Sequence, residues 1–308
     1  MAPASFIPIS NKVCVMDASS RLGAKLVARL LHRGYEVHAA VQGQLGELEK
    51  YMKVCDEEEK MKVKVYKADL FDFHSIADAL RGCSGLFYNF KPPRDHPIYD
   101  EHMMEVEVRA AHNVLEASAH VDTIDKIVFT SSITAVVWRH DCSSTSSSLD
   151  EKHWSDISFC RKFKLWHALS KTISEKSAWA LAMDRGLNMV TVNAGLILSN
   201  DLSITNPYLK GAAEMYEDGV FVVTDLKFLV DAHICVFEDI STYGRYLCFN
   251  SVVNHAEVAL QVAKTIAPWA SPQIQSFEGQ DKMIQQNISN KKLKELMADF
   301  ETELSQES

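Results

Sequence analysis

Residues 12–41 read KVCVMDASSRLGAKLVARLLHRGYEVHAAV, an apolar run, an amphipathic stretch and a second apolar run. The first run, Lys12–Met16, predicts a strand, since it is short and rich in valine. Leucines recur every three or four residues over 22–32, which predicts a helix that Gly34 ends. The run 35–41 predicts another strand. A strand–helix–strand unit of about 30 residues is typical of the opening of a nucleotide-binding sheet.

The alternation of strands and helices continues along the chain. Further strands are predicted over 62–66, 85–90, 126–130 and 188–193, and further helices over 75–80, 103–119, 159–183 and 291–304. This order predicts an α/β fold with a doubly wound parallel sheet of at least six strands and helices on both faces. We expect a Rossmann-like domain over 1–195 and a smaller substrate-covering part over 196–308. The run 244–249 is a candidate to return to the main sheet.

Composition narrows the class of protein. The 308 residues are 47% hydrophobic and carry a net charge of −9, with a pI of about 5.7. An acidic surface repels phosphate backbones and anionic lipids, so neither nucleic acid nor membrane is an expected partner. Without an evident signal peptide or spanning segment, we expect a cytoplasmic protein. The seven cysteines include no pair at C-x-x-C spacing, so no metal site is expected.

Several motifs resemble one family. They are NVLEA at 113–117, FTSS at 129–132, DEKHWSD at 150–156 and GRYLC at 244–248. Together they resemble plant cinnamoyl-CoA reductases and dihydroflavonol reductases, which are extended short-chain dehydrogenases/reductases. The resemblance covers roughly 12–249. It implies a plant source, the cofactor NADP, an oxidoreductase activity and a small aromatic ligand of the phenylpropanoid or flavonoid class.

The phosphate-binding loop departs from the family pattern. In place of T-G-x-x-G-x-x-G or A, the matching positions are Met16, Asp17, Ser20 and Gly23. The carboxylate of Asp17 would lie near the cofactor's phosphates, and at ~5 Å and an effective dielectric of ~20 each such pair costs about 3 kcal/mol. Ser20 adds bulk where the backbone should approach the pyrophosphate. Arg21 could offset some repulsion, but we expect it to face solvent. We therefore favour a simple turn into a helix over a phosphate-binding loop.

Three further positions carried over from the family as cofactor contacts are Gln42, Asp69 and Lys91. Gln42 ends the second strand, where an NADP enzyme needs an arginine for the 2′-phosphate. Lys91 can supply some attraction for phosphate, while Phe90 either fills space that the nucleotide needs or turns into the core. We therefore expect NADP binding to be weak or absent.

The catalytic positions implied by the resemblance are Ser132, His167 and Lys171. The family uses serine, tyrosine and lysine, and here histidine stands at the tyrosine position. The spacing of four places His167 and Lys171 on one helix face, and the ammonium favours a neutral imidazole. A neutral imidazole can donate a hydrogen bond or act as a base, but it is a poor proton donor at pH 7. The alternative is that His167 has no catalytic role and is a partly buried histidine at the rim of the pocket that the family uses.

Three hypotheses about function remain open. The first is a small-molecule binder or scaffold that no longer uses NADP. The second is a cofactor-independent enzyme that uses His167 as acid or base on an aromatic substrate. The third is an NADPH-dependent reductase with substitute contacts and His167 in the tyrosine's role. Binding of NADPH separates the third hypothesis from the other two.

Overall fold

The structure is a computed structural model that describes residues 11–93, 98–139, 148–199, 202–267 and 283–306. The strands in these ranges are β1 (Lys12–Met16), β2 (Glu36–Val41), β3 (Val63–Lys67), β4 (Gly85–Tyr88), β5 (Lys126–Ser132), β6 (Met189–Ala194), β7 (Leu196–Ile197), β8 (Val222–Thr224), β9 (Gly244–Cys248) and β10 (Ser251–Val252). The α-helices are α1 (Arg21–His32), α2 (Glu47–Met52), α3 (Glu57–Met61), α4 (Phe73–Leu80), α5 (Glu101–Ala119), α6 (Ile157–Lys162), α7 (Trp166–Arg185), α8 (Ala212–Glu217), α9 (Leu226–Glu238), α10 (Ala256–Ile266) and α11 (Lys291–Gln306). The described ranges also contain 3₁₀ turns at Ile133–Ala135 and Pro207–Leu209.

Seven strands form one parallel sheet in the order β3-β2-β1-β4-β5-β6-β9. Buried side chains of α1, α9 and α11 share a core with one face of the sheet, and those of α4, α5 and α7 share a core with the other. The doubly wound fold predicted from the sequence is confirmed. The strand order reverses between β1 and β4, and in such sheets ligands bind at this reversal, outside the carboxyl ends of the strands.

The residues after 195 contribute strands to two sheets. Gly244–Cys248 pairs with β6 and completes the main sheet, while β7, β8 and β10 form a separate three-stranded sheet. Helices α9 and α11 pack into the core of the main sheet. The division of the chain at residue 195 stays a prediction, because elements from beyond it lie in both sheets.

The predicted helix over 159–183 is wrong in one respect. It is two helices, α6 and α7, separated by three residues. Lys164 takes a left-handed conformation with φ of 54°, and the N–H of Leu165 donates to the carbonyl of Cys160 at 2.8 Å. This closes α6 without the glycine that usually marks such an end. The break moves the start of α7 to Trp166 and so places His167 in its first turn.

Candidate functional site

The turn after β1 lies at the reversal of strand order and is built around Asp17. Asp17 has a φ of 60°, a left-handed conformation that aspartate tolerates better than most residues. Its side chain is 6% exposed. Ser19 donates a hydrogen bond to Oδ1 at 2.6 Å, while Oδ2 is buried and has no hydrogen-bond partner among the described residues. Burial raises the pKa of Asp17 above its ordinary value, against the lowering effects of Ser19 and then Lys91.

Ser20 caps the helix that follows. Its Oγ accepts a hydrogen bond from the N–H of Gly23 at 3.0 Å and donates to the carbonyl of Asp17 at 2.9 Å. A phosphate group at a helix N-terminus is held by N–H groups of this kind. In this chain the side chain of Ser20 already satisfies one of them, and the Asp17 carboxylate lies beside the same turn.

A cleft of about 300 Å³ opens beside this turn, and Asp17, Gln42 and Lys91 are among the residues that line it. Gln42 is exposed, one residue after β2, and Lys91 is half-buried. The structure therefore brings together three of the positions that the family resemblance assigned to the cofactor. Lys91 is the cation of this group, and Gln42 supplies a neutral amide where a 2′-phosphate would require a positive charge.

Arg21 and Asp69 complete the predicted cofactor set. Arg21 is the first residue of α1 and is half-buried, whereas we expected it to face solvent. Asp69 is exposed, and its carboxylate accepts a hydrogen bond from the N–H of Phe71 at 2.9 Å. This contact stabilises the turn after β3. Phe90, which was expected either to fill the nucleotide's space or to turn into the core, is 6% exposed and packs with core side chains.

Ser132, Thr134 and His167 form a chain of hydrogen bonds at the end of β5. The hydroxyl of Thr134 donates to Ser132 Oγ at 3.1 Å, and its oxygen lies 3.1 Å from Nδ1 of His167. The N–H of Thr134 also donates to Ser132 Oγ, at 3.2 Å. Two of the three predicted catalytic positions are therefore joined through a residue between them, which the sequence did not single out.

His167 lies between aromatic rings. The ring of Tyr99 meets it edge-on with centroids 4.9 Å apart, and the ring of Tyr208 lies 6.3 Å away. Burial and, to a smaller extent, the ammonium of Lys171 lower the pKa of His167 well below its ordinary value. The imidazole is therefore neutral at pH 7, as the helical spacing predicted, but with desolvation as the larger cause.

Lys171 is engaged by a carboxylate. Its Nζ donates to Oε1 of Glu107 at 2.6 Å, and both side chains are buried, 9% and 3% exposed. The other oxygen of Glu107 accepts hydrogen bonds from Ser170 at 2.5 Å and Tyr99 at 3.0 Å. In the family pattern this lysine holds the nicotinamide ribose and lowers the tyrosine's pKa. Here its charge is neutralised by a buried partner on α5.

Glu107 and Thr134 were missed by sequence reasoning. A signal for Glu107 was present, because it lies on the same helical stripe as Met103, Met104, Ala110 and Ala111, all of them buried. A carboxylate within an apolar stripe requires a buried partner. That partner, Lys171, lies 64 residues further along the chain on another helix, so it could not be named from spacing alone. Thr134 is the second residue after the FTSS motif and carried no such signal.

Two general features of the described residues bear on function. None of their histidine, cysteine, aspartate or glutamate side chains form a group of three or more that could hold a metal ion. No helix found within the described ranges combines the length and apolarity that crossing a bilayer requires.

Comparison with known proteins gives the family. The profile of the 3-beta hydroxysteroid dehydrogenase/isomerase family matches residues 14–192. Cinnamoyl-CoA reductase 2 of Medicago truncatula is 32% identical over 296 residues, which cover 94% of this chain and 86% of the relative. Tetraketide alpha-pyrone reductase 1 of Arabidopsis thaliana is 33% identical over 262 residues, covering 80% of this chain and 79% of the relative.

Solved structures show the same fold at lower identity. Vestitone reductase from alfalfa superposes with a TM-score of 0.69 at 23% identity and covers 92% of this chain and 91% of that protein. Yeast methylglyoxal/isovaleraldehyde reductase Gre2, solved in complex with NADPH, gives a TM-score of 0.69 at 15% identity with 93% of each chain covered. The chain therefore belongs to the 3-beta hydroxysteroid dehydrogenase/isomerase family of extended short-chain dehydrogenases/reductases, with cinnamoyl-CoA reductases among its relatives.

Proposed function

We propose that this cinnamoyl-CoA-reductase-like protein has lost ordinary NADPH-dependent hydride transfer and instead binds a small aromatic molecule of phenylpropanoid type in the cytoplasm. It serves either as a binder or scaffold, or as a cofactor-independent enzyme in which His167 supplies acid–base chemistry. The family fold supports a ligand at the carboxyl ends of the strands. The aromatic rings of Tyr99 and Tyr208 beside His167 support an aromatic ligand.

The observation that carries this proposal is the buried carboxylate of Asp17 in the turn where a dinucleotide's pyrophosphate would lie. Its buried Oδ2 has no hydrogen-bond partner among the described side chains and main chain, so a phosphate brought to this turn would approach a carboxylate whose charge is not offset by a hydrogen bond to that oxygen. The Oγ of Ser20 already accepts the hydrogen bond of the Gly23 N–H, and Gln42, which lines the same cleft, supplies no charge. These residues do not fit a dinucleotide phosphate site.

Lys171 gives independent support. Its ammonium donates to Glu107 in a pair that is almost fully buried. Freeing the lysine for a ribose would leave the Glu107 carboxylate without its cation, and breaking a buried pair in this way costs about 3–5 kcal/mol. We therefore assign Lys171 a structural contact and no contact with a cofactor.

Calorimetric titration with NADPH tests the proposal. The unmodified protein should bind with a Kd above about 100 μM, which corresponds to no more than roughly −5.5 kcal/mol. Asp17→Gly/Ser20→Gly should bind more tightly, and adding Gln42→Arg should increase affinity again, because each change restores one charge-assisted or backbone contact. Asp78→Asn is the matched control, since it removes a negative charge from an exposed position on α4 and should leave affinity unchanged. Low-micromolar binding by the unmodified protein would show the proposal to be wrong.

The second candidate function is an NADPH-dependent oxidoreductase in which His167 replaces the usual tyrosine. Lys91 favours it, because this cation lines the same cleft as Asp17 and partly opposes the rise that burial causes in the pKa of that carboxyl. If NADPH binds tightly, the Lys91→Met variant should lose that affinity. His167→Tyr in the Asp17→Gly/Ser20→Gly/Gln42→Arg background should then increase reduction of a cinnamoyl-type substrate.

A further inference from the structure

The hydroxyl of Thr134 fixes the arrangement of hydrogens at the site. A threonine hydroxyl has one hydrogen to donate and lone pairs that accept. The geometry directs that hydrogen to Ser132 Oγ, at 3.1 Å. The oxygen of Thr134 also lies 3.1 Å from Nδ1 of His167, so it must accept there, and Nδ1 must carry a hydrogen.

The state of the other ring nitrogen follows. The imidazole of His167 is neutral, because burial and the Lys171 ammonium lower its pKa, and a neutral ring carries only one N–H. With that hydrogen on Nδ1, Nε2 presents a lone pair. Nε2 has no hydrogen-bond partner among the residues that the structure describes.

Ser132 is a hydrogen-bond donor, whereas Nε2 of His167 is an acceptor. Its Oγ accepts from both the N–H and the hydroxyl of Thr134, at 3.2 and 3.1 Å. Its own hydrogen therefore has to be donated to another group. The site thus offers one donor, the Ser132 hydroxyl, and one acceptor, Nε2 of His167.

We infer that this site recognises a hydroxyl group attached to an aromatic skeleton, in preference to a carbonyl, and that Thr134 is the positioning residue that sets this preference. A hydroxyl can donate to Nε2 of His167 while it accepts from Ser132. A carbonyl oxygen carries only lone pairs, so it meets the donor of Ser132 but repels the lone pair of Nε2. The inference rests on the proposed function for its aromatic ligand.

The first test needs no ligand. Nitrogen-15 NMR of the full chain, with the His167 signals assigned by their loss in His167→Gln, should show the Nδ1–H tautomer. Thr134→Val should change the tautomer population, and Thr134→Ser should restore it, because serine keeps the hydroxyl. A purely structural role of Thr134 would leave the tautomer unchanged in Thr134→Val. The Nε2–H tautomer in the unmodified protein would overturn the inference.

The second test compares cinnamyl alcohol with cinnamaldehyde, which share one carbon skeleton. By calorimetry the alcohol should bind at least about tenfold more tightly, a difference of about 1.4 kcal/mol. The ratio should fall towards one in Thr134→Val and return in Thr134→Ser. Tighter binding of the aldehyde would overturn the inference while leaving the proposed function in place. If neither compound bound, the aromatic ligand of the proposed function would be wrong, whatever tautomer His167 adopts.

Discussion

Gly23 illustrates how a residue of the phosphate loop can persist for a reason other than phosphate. A Cβ added there would lie 2.0 Å from the carbonyl oxygen of Asp17 and 2.8 Å from Cα of Ala18. The close approach of α1 to the turn after β1 therefore requires glycine. This requirement comes from packing within the chain and holds whether or not a dinucleotide binds.

Gly23→Ala should destabilise the protein by about 1–3 kcal/mol, because the added methyl group has no space and the turn must shift. Gly43→Ala is the matched control, since a Cβ at Gly43 would meet no atom within 4 Å. That variant should stay within about 0.5 kcal/mol of the unmodified protein. Urea unfolding measures both values. Equal midpoints for the two variants would contradict the packing role of Gly23.

His233 on α9 should make stability depend on pH. It is fully buried, its Nδ1 lies 2.7 Å from the carbonyl of Leu229 and its Nε2 lies 2.8 Å from the hydroxyl of Thr130. Burial lowers the pKa of His233 to about 4, while an unfolded histidine titrates near pH ~6.5. Below pH ~6.5 the unfolded chain binds the proton first, so stability falls as pH decreases towards about 4.

The expected loss from His233 is about 3 kcal/mol between pH ~6.5 and ~4, since one pKa unit corresponds to about 1.36 kcal/mol. His233→Gln cannot titrate and can still form neutral hydrogen bonds to its neighbours. The free energy of unfolding of this variant should therefore fall less steeply over the same range. The difference in slope should correspond to the uptake of about one proton on unfolding. His38 and His167, whose pKa values are also lowered, contribute equally to both curves. Parallel curves would contradict the assignment.

At the scale of elements, the contact between α5 and α7 depends on the buried pair of Glu107 and Lys171. The carboxylate also accepts from Ser170 on α7 and from Tyr99, just before α5. Glu107→Ala would leave the ammonium buried without its partner, so we expect a loss of about 3–5 kcal/mol. Glu49→Ala is the control, because its ion pair with Lys53 is exposed to solvent and its loss should leave stability almost unchanged.

Thermal and urea unfolding should report the difference between those two glutamate variants. A second variant, Glu107→Gln/Lys171→Met, removes both charges and should recover most of the stability lost in Glu107→Ala. If Glu107→Ala were as stable as Glu49→Ala, the pair would not hold the two helices together. The assignment of Lys171 to a structural contact would then lose its energetic basis.

The elements differ in how far the sequence could predict them. Strands β1, β2, β4 and β5 follow from short apolar runs, which are buried on both faces of the sheet, and helices α1, α4 and α5 follow from apolar residues at helical spacing. The short helices α2 and α3 were not predicted. The break between α6 and α7 does not follow from such patterns, since Lys164 adopts its left-handed conformation through hydrogen bonds around it and not through its own preference.

The same limit applies to the site. The positions of Ser132, His167 and Lys171 follow from motif spacing, whereas the partners that decide their chemistry come from other elements. Glu107 lies 64 residues before Lys171 in the chain, and Thr134 lies 33 residues before His167. Such contacts depend on how the helices dock on the sheet, which periodicity within one element does not specify.

For the whole molecule, α11 connects the last described residues to the main sheet. Leu293 is fully buried and Met297 nearly so, and both lie in the core that also contains β1 and α9. Leu293→Ala should lower the free energy of unfolding of the whole protein by about 2–5 kcal/mol. Lys294→Ala, on the exposed face of the same helix, should change it by less than about 0.5 kcal/mol.

Circular dichroism during urea unfolding checks this prediction. A single transition that moves as a whole in Leu293→Ala is the expected result, because α11 and the sheet share one core. If only a small early phase changed and the main transition did not, α11 would be an independent element and the sheet would be stable without it.

The stability of the whole protein also reports on the cofactor. A ligand that binds only the folded state raises the free energy of unfolding by RT ln(1 + [L]/Kd). At 1 mM NADPH, a Kd of about 100 μM gives only about 1.4 kcal/mol, whereas a Kd of about 1 μM gives about 4.1 kcal/mol. Asp17 is buried in the turn, and Ser20 already accepts the hydrogen bond of the Gly23 N–H. We therefore expect NADPH to stabilise the unmodified protein by no more than the smaller of these two amounts.

Urea unfolding with and without 1 mM NADPH, at matched ionic strength, measures the cofactor's effect. The Asp17→Gly/Ser20→Gly/Gln42→Arg variant should gain more stability from NADPH than the unmodified protein does, because each change improves the phosphate contacts. Salt is matched because charge repulsion between exposed groups is screened over a Debye length of about 8–10 Å. A gain of about 4 kcal/mol in the unmodified protein would mean that Asp17 is accommodated in a working dinucleotide site. His167 would then be the residue to examine as the proton donor of a reductase.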